Sequence, residues 1–298
     1  MTFKPGVHKD RNIARRGGGG GGRIAVGGGI GTVVLIGLYL LLGGDPAGLG
    51  TLLGGSEAPA PQDTQAQQGG AGLEHCQTAE DANSRADCRV EFTAMSVFHT
   101  WEKQLPEQAN ITFEEPGLVV FDQTTNSGCG VAQGNTGPFY CPADRSAYFD
   151  VSFFQQLEQL GGENAPLAQM YIVAHEYGHH IQNLEGTLGL SDYNNPGEDS
   201  NAVKIELQAD CYAGIWAHWA DKGEDAMLET ITPEQVESAI ATAQAVGDDN
   251  IQRRSGGEVQ PDQWTHGSSQ QRAESFLAGY RTGKMNACDT LGRHVYAE

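Results

Sequence analysis

The stretch QMYIVAHEYGHHIQNL, residues 169–184, decides how the rest of the chain is read. It contains no proline, and its apolar residues recur at helical spacing, which predicts a helix over 167–184. Inside it, His175, Glu176 and His179 form the pattern His-Glu-x-x-His. Positions i and i+4 lie one turn apart on one face, so two imidazoles there can grip a single zinc ion. Glu176 stands about 100° around the helix from His175. From there it can act as general base toward a zinc-activated water without ligating the metal. Gly178 costs roughly 1 kcal/mol in a helix interior and marks a place where another backbone comes close. His180 is about 100° off the ligand face and is expected to support the site or face solvent rather than ligate.

A catalytic zinc site of this kind takes a third protein ligand and keeps one position open. The continuation that would supply a third histidine is missing, because Gln182 and Glu185 stand at its glycine and histidine positions. Glu206 is the better candidate. It opens ELQADCYAG (206–214), in a second predicted helix over 201–219, after a loop at 186–200 long enough to turn the chain back. Glu206 and Asp210 are again one turn apart, set among Leu207, Ala209, Cys211, Ile215 and Trp216. The expectation is that Glu206 completes the metal site. Asp210 would then accept the spare N–H of a zinc histidine and fix its tautomer. Glu185 and Asp192 remain weaker alternatives as ligands. A donor for the developing oxyanion is also needed. His266, in Thr265-His266-Gly267-Ser268, is the candidate, with Arg272 and Tyr171 as rivals and packing of the last helix as the plainer role.

Outward from these two helices, Phe92, Met95, Val97, Phe98 and Trp101 predict a helix over 79–105. Short apolar runs predict strands at 118–121 and 146–151, separated by a turn-rich stretch at 128–140. A helix is expected to begin within 153–160. Two more follow, over 233–246 with Thr232 as N-cap and over 268–283 with the serine pair at its start and Gly283 at its end. The fold class is α+β, helix-dominated with a small sheet.

The chain has 298 residues, with 38 Asp and Glu against 18 Lys and Arg, a formal net charge of −20 that disfavours nucleic acid as a partner. Forty-one glycines and a hydrophobic share of 39% indicate that part of the chain builds no core. Residues 1–23 concentrate basic side chains, with Lys4, Lys9, Arg11, Arg15, Arg16 and Arg23 against Asp10, and read as a cytoplasmic tail. Residues 24–44 carry no charge and just reach the length of a membrane span. They read as one transmembrane signal anchor, basic end inside, against a cleaved signal peptide and a buried helix. Residues 45–72 are Ala, Gly, Pro and Gln without an aromatic and read as a disordered linker. Residues 73–298 form the catalytic domain, placed outside the cytoplasm. Its six cysteines suggest disulfides, with 15 possible pairings. Local proximity favours Cys76–Cys88 and Cys129–Cys141, leaving Cys211–Cys288.

Taken together, HEYGHHIQNL (175–184), ELQADCYAGIW (206–216), DDNIQRR (248–254), THGSSQQR (265–272) and GPFYCPADRSAYFD (137–150) resemble the neutral zinc metallopeptidase family of bacteria. The resemblance runs over about 75–292, with 10–72 outside it. It implies a zincin-like domain, zinc as cofactor, His175 and His179 as ligands, Glu176 as catalytic base and Glu206 as third ligand. The function expected is that of a membrane-anchored, extracytoplasmic zinc metallopeptidase, more an endopeptidase than an exopeptidase, acting on a peptide or protein. Its substrate would run along an edge strand within 139–151. The alternative is a catalytically silent, metal-stabilised envelope binding or scaffold protein. Oligomeric state and natural substrate are not legible at this level.

Overall fold

The computed structural model describes residues 2–18, 72–133 and 137–297. Thr78 accepts from the Asp81 N–H in a capping box and starts α1 (Ala79–Ser84). Arg85 is extended (φ −125°, ψ 133°), so the helix expected over 79–105 breaks there. It resumes as α2 (Ala86–Ala109) and runs past the expected end to Asn110, whose left-handed backbone (φ 57°) stops it. After α2 come β2 (Gly117–Phe121), β3 (Thr124–Ser127), β4 (Gly130–Gln133), β5 (Phe139–Cys141) and β6 (Ser146–Asp150). The hairpin of β3 and β4 was not foreseen, because its Gly- and polar-rich sequence lacks a two-residue apolar period.

The remaining helices are α3 (Phe153–Gln156), α4 (Pro166–Leu184), α5 (Asn201–Trp219), α6 (Pro233–Ala245), α7 (Asp248–Arg254) and α8 (Ser269–Thr282). Their ends follow local rules. Pro166 occupies the first turn of α4, where its missing N–H costs nothing. Thr232 with Gln235, and Ser268 with Gln271, form capping boxes on α6 and α8. Gly283 ends α8 in the left-handed conformation.

Two close helix approaches position the site. A Cβ placed on Gly178 of α4 would stand 3.0 Å from the Cα and carbonyl oxygen of Ala209 in α5. Glycine there lets the two helices meet backbone to backbone, next to both histidines. On the other side of α5, a Cβ on Gly214 would collide with the Phe276 carbonyl, and one on Gly279 with the Cys211 carbonyl. Helix α5 is therefore held between α4 and α8, with Tyr171, Tyr212, Trp216 and Phe276 fully buried around it. The expected disulfide pairing is present: Cys76–Cys88, Cys129–Cys141 and Cys211–Cys288. The last ties α5 to the turn Met285–Cys288, and such bonds are compatible with an oxidising compartment.

The sheet corrects the reading of the N-terminus. Its strand order is β1-β2-β6-β5, where β1 is Ala14–Arg16. Strands β1 and β2, and β2 and β6, are parallel; β5 runs antiparallel to β6, with Phe139 opposite Tyr148. Residues 2–18 thus form part of the domain rather than a tail. Phe3 is fully buried against Phe92 and bridges Leu228, and Arg15 bridges Gly72. Lys9 reaches the buried Glu91 at 3.1 Å and donates to the Leu73 carbonyl. The expected spanning helix at 24–44, like nearly all of the linker expected at 45–72, lies outside the described residues. Among the described residues no helix is long and apolar enough to cross a membrane. A single crossing at 24–44 would set residues 2–18 and 72–297 on opposite faces of a bilayer, yet they share one sheet and one core. The single-pass anchor, and the cell-membrane localisation built on it, are therefore withdrawn.

Candidate metal centre

The two imidazoles of α4 and the carboxylate of α5 converge. Glu206 Oε2 stands 3.3 Å from His175 Nε2 and 3.6 Å from His179 Nε2. One ligand atom from each of the three lies within 4.8 Å of the others, and all three residues are buried. Two ligands at roughly 2.0–2.1 Å in tetrahedral geometry stand about 3.3 Å apart, so the spacing suits one zinc ion. The donor set suits it as well, because each imidazole already has its other nitrogen engaged. His175 Nδ1 meets Asp210 Oδ1 at 2.8 Å, and His179 Nδ1 meets Gln182 Oε1 at 2.9 Å. Both contacts place the proton on Nδ1 and turn the Nε2 lone pair inward.

Asp210 has further partners besides His175. It also accepts from the Tyr171 hydroxyl at 2.5 Å and takes a two-pronged ion pair from Arg272 at 2.8 and 2.9 Å. Burial pushes the Asp210 carboxyl up, but Arg272 and His175 outweigh it and hold it at about 2. Burial alone would depress His175; Asp210 and Glu206 overcome it and raise the ring to about 10 when no cation competes for Nε2. Tyr171 and Arg272, the rivals for oxyanion duty, are thus spent on Asp210. Glu185 points elsewhere, accepting from the Tyr212 hydroxyl, and Asp192 is exposed beside the Asn194 N–H. Neither joins the cluster.

Glu176 is buried beside the histidines. Burial raises its carboxyl, while His175, His179 and the Tyr140 backbone of β5 pull it back down. The carboxylate thus lies beside β5, an edge strand of the described sheet. His180 turns away from the metal cluster and is fully buried. Tyr140 O–H donates to its Nδ1 at 2.9 Å, and its Nε2 donates to the Glu114 carbonyl at 2.5 Å. It ties α4 to β5 and to the chain entering β2.

His266 stands across Glu206, near enough for the two charges to reinforce each other. It does not cap α8; Ser268 does. Asp248, at the start of α7, holds it. Asp248 Oδ2 accepts from the N–H groups of Thr265, His266 and Gly267 at 2.7–3.1 Å, and Oδ1 faces His266 Nδ1 at 3.2 Å. Sequence reading missed this role, although DDNIQRR had been singled out. It also missed Gln182, whose amide donates to the Ile205 carbonyl and Gln208 while its oxygen orients His179. Three-residue spacing from His179 was the available signal. Tyr193, from the 186–200 loop, donates to Glu206 Oε1 at 3.3 Å, and no periodicity could have pointed to it.

A buried His-His-Glu group on two packed helices, with a carboxylate beside it, has the composition that zinc peptidases use. The chain belongs to the family described as "Putative neutral zinc metallopeptidase", whose profile matches residues 5–291. The match begins inside the N-terminal segment that joins the sheet, well before residue 75. The family is zinc-dependent by description, and His175, His179 and Glu206 form the group that could hold the ion. Similar proteins include the uncharacterized protein Rv2575 of Mycobacterium tuberculosis and its counterpart in Mycobacterium bovis. Each is 43% identical over 259 residues, covering 85% of this chain and 84% of the relative. The uncharacterized protein YpfJ of Escherichia coli is 37% identical over 227 residues, covering 74% of this chain and 77% of its own. No solved structure matches the chain.

Proposed function

We propose that this chain is a zinc-dependent endopeptidase in which His175, His179 and Glu206 hold the ion and Glu176 moves the proton. The observation that carries the reading is the convergence of Glu206 Oε2 on both imidazole Nε2 atoms while both Nδ1 atoms are engaged elsewhere. Zinc bound there supplies a Lewis acid and lowers the pKa of water toward neutrality. Glu176 accepts a proton from water and returns it to the leaving amine nitrogen. Burial raises its carboxyl, which makes it a better proton acceptor than an exposed carboxylate.

His266 donates from Nε2 to the oxygen on which negative charge develops, because Asp248 and Thr265 engage Nδ1. Strand β5 forms one edge of the described sheet and lies beside α4. An extended peptide adding to that edge would run past Glu176. An edge strand takes the middle of a chain as readily as an end, which supports endopeptidase over exopeptidase action.

The test is cleavage of an unfolded protein by the purified chain with and without chelator. Zinc-dependent cleavage is expected, lost in Glu176→Gln while that variant keeps stoichiometric zinc. Zinc retained by the wild type with no cleavage of any peptide would favour a silent metal-stabilised binding protein and overturn the proposal.

A further inference from the structure

We infer that Tyr193 is a positioning residue that makes Glu206 a one-oxygen ligand and so keeps a coordination position open. The inference rests on the reading of His175, His179 and Glu206 as the metal site. Glu206 presents its two oxygens to different partners. Oε2 is the oxygen that faces His175 Nε2 and His179 Nε2, at 3.3 and 3.6 Å. Oε1 faces the Tyr193 hydroxyl at 3.3 Å. A buried carboxylate with a free second oxygen swings easily into two-oxygen ligation, which fills the position that substrate or water must use. A phenol O–H on Oε1 opposes that swing. It engages a lone pair that would otherwise turn toward the ion, and it fixes the carboxylate plane.

The position of Tyr193 is itself held by backbone contacts. The loop that carries it is pinned to the segment before α8, where the Gly197 N–H donates to the Trp264 carbonyl at 2.8 Å. The Gln271 amide reaches the Glu198 carbonyl. Trp264 is two residues from His266, so one loop contact positions both groups that flank Glu206. Tyr193 is half-buried, and removal of its hydroxyl alone opens no cavity in the core.

The experiment compares wild type, Tyr193→Phe and His175→Ala, as full chains stripped of metal. Zinc affinity is measured by competition with a chromophoric chelator, and Co²⁺ is loaded to read the visible d–d bands, which are stronger for four-coordinate than for five-coordinate cobalt. We expect Tyr193→Phe to weaken zinc binding about tenfold, as loss of an orienting hydrogen bond does elsewhere. Its cobalt bands should weaken as the second oxygen enters. Tyr193→Phe with wild-type affinity and wild-type cobalt bands overturns the inference while leaving the metal site standing. Zinc bound as tightly by His175→Ala as by wild type overturns the site itself, and the role of Tyr193 with it.

Discussion

Asp210→Asn separates what holds the fold from what prepares the metal site. In the wild type, Asp210 is fully buried and receives Arg272 through two contacts, the Tyr171 hydroxyl and His175 Nδ1. Asparagine keeps the shape and one acceptor oxygen but removes the charge. Arg272 is then a buried guanidinium without a counter-ion, which costs about 3–5 kcal/mol. A domain of this size loses roughly 2–4 °C per kcal/mol, so the metal-free protein should melt about 6–20 °C lower. His175 meanwhile loses the carboxylate that strengthens it as a ligand, and zinc affinity should fall about 10–100-fold. Adding Arg272→Met to Asp210→Asn removes the orphaned cation. It should restore much of the melting temperature and none of the zinc affinity. Calorimetry of metal-free protein and chelator competition read the two effects separately. An Asp210→Asn variant within about 2 °C of wild type, with unchanged zinc affinity, would refute the reasoning.

Three other outcomes are expected. Burial holds His180 down to about 4, against the Glu114 carbonyl that pulls it upward, whereas an unfolded imidazole titrates near 6.5. Its contribution is complete above pH 6.5 and is lost as pH falls toward 4, by about 3 kcal/mol. Urea midpoints of metal-free protein should therefore fall more steeply with acid in wild type than in His180→Gln, and equal slopes would contradict this. Gly279→Ala should cost about 1–3 kcal/mol by driving a methyl into the Cys211 carbonyl. Gly189→Ala, with nothing within 4 Å of its Cβ, should change stability by no more than about 0.5 kcal/mol; a reversed order in thermal melts would count against the close α5–α8 approach. Lys9→Met should cost about 3–5 kcal/mol, because it strands the buried Glu91 carboxylate. A neutral result would return the N-terminal residues to the status of a tail.

The convergence of His175, His179 and Glu206 was legible because each of its parts is written within a helix. His175 and His179 are four apart, Glu206 and Asp210 are four apart, and helical geometry makes such pairs share a face. Gly178 told of a close neighbour for the same kind of reason, and Ala209 is that neighbour. What the sequence hid depends on contacts between segments far apart in the chain. Asp248 acts on 265–267 through backbone N–H groups that every residue carries, so no side-chain pattern announces it. Tyr193 sits in a loop without periodicity. The N-terminus misled for a sharper reason. Its basic residues and the charge-free run after them match the statistics of a signal anchor, while the facts that contradict it are long-range: β1 lies on β2, and Lys9 on Glu91.

Charge balance argues for a divalent cation independently of any motif. Asp210 is matched by Arg272, and Asp248 by His266 and three N–H groups. Glu176 and Glu206 are left as buried carboxylates facing two imidazoles. Burying unmatched charge is expensive, and a protein meets that cost with protons or with a metal. Protons on both Nε2 atoms would neutralise the pair, but they would set two cations side by side, with the rings 4.7 Å apart and Nδ1 already committed on each. One doubly charged ion between His175, His179 and Glu206 supplies the same charge at a single point and uses both lone pairs at once. The residues that look redundant, Asp210 and Gln182, then have a common purpose: each holds a proton on the far side of an imidazole so that the near side stays open to a cation.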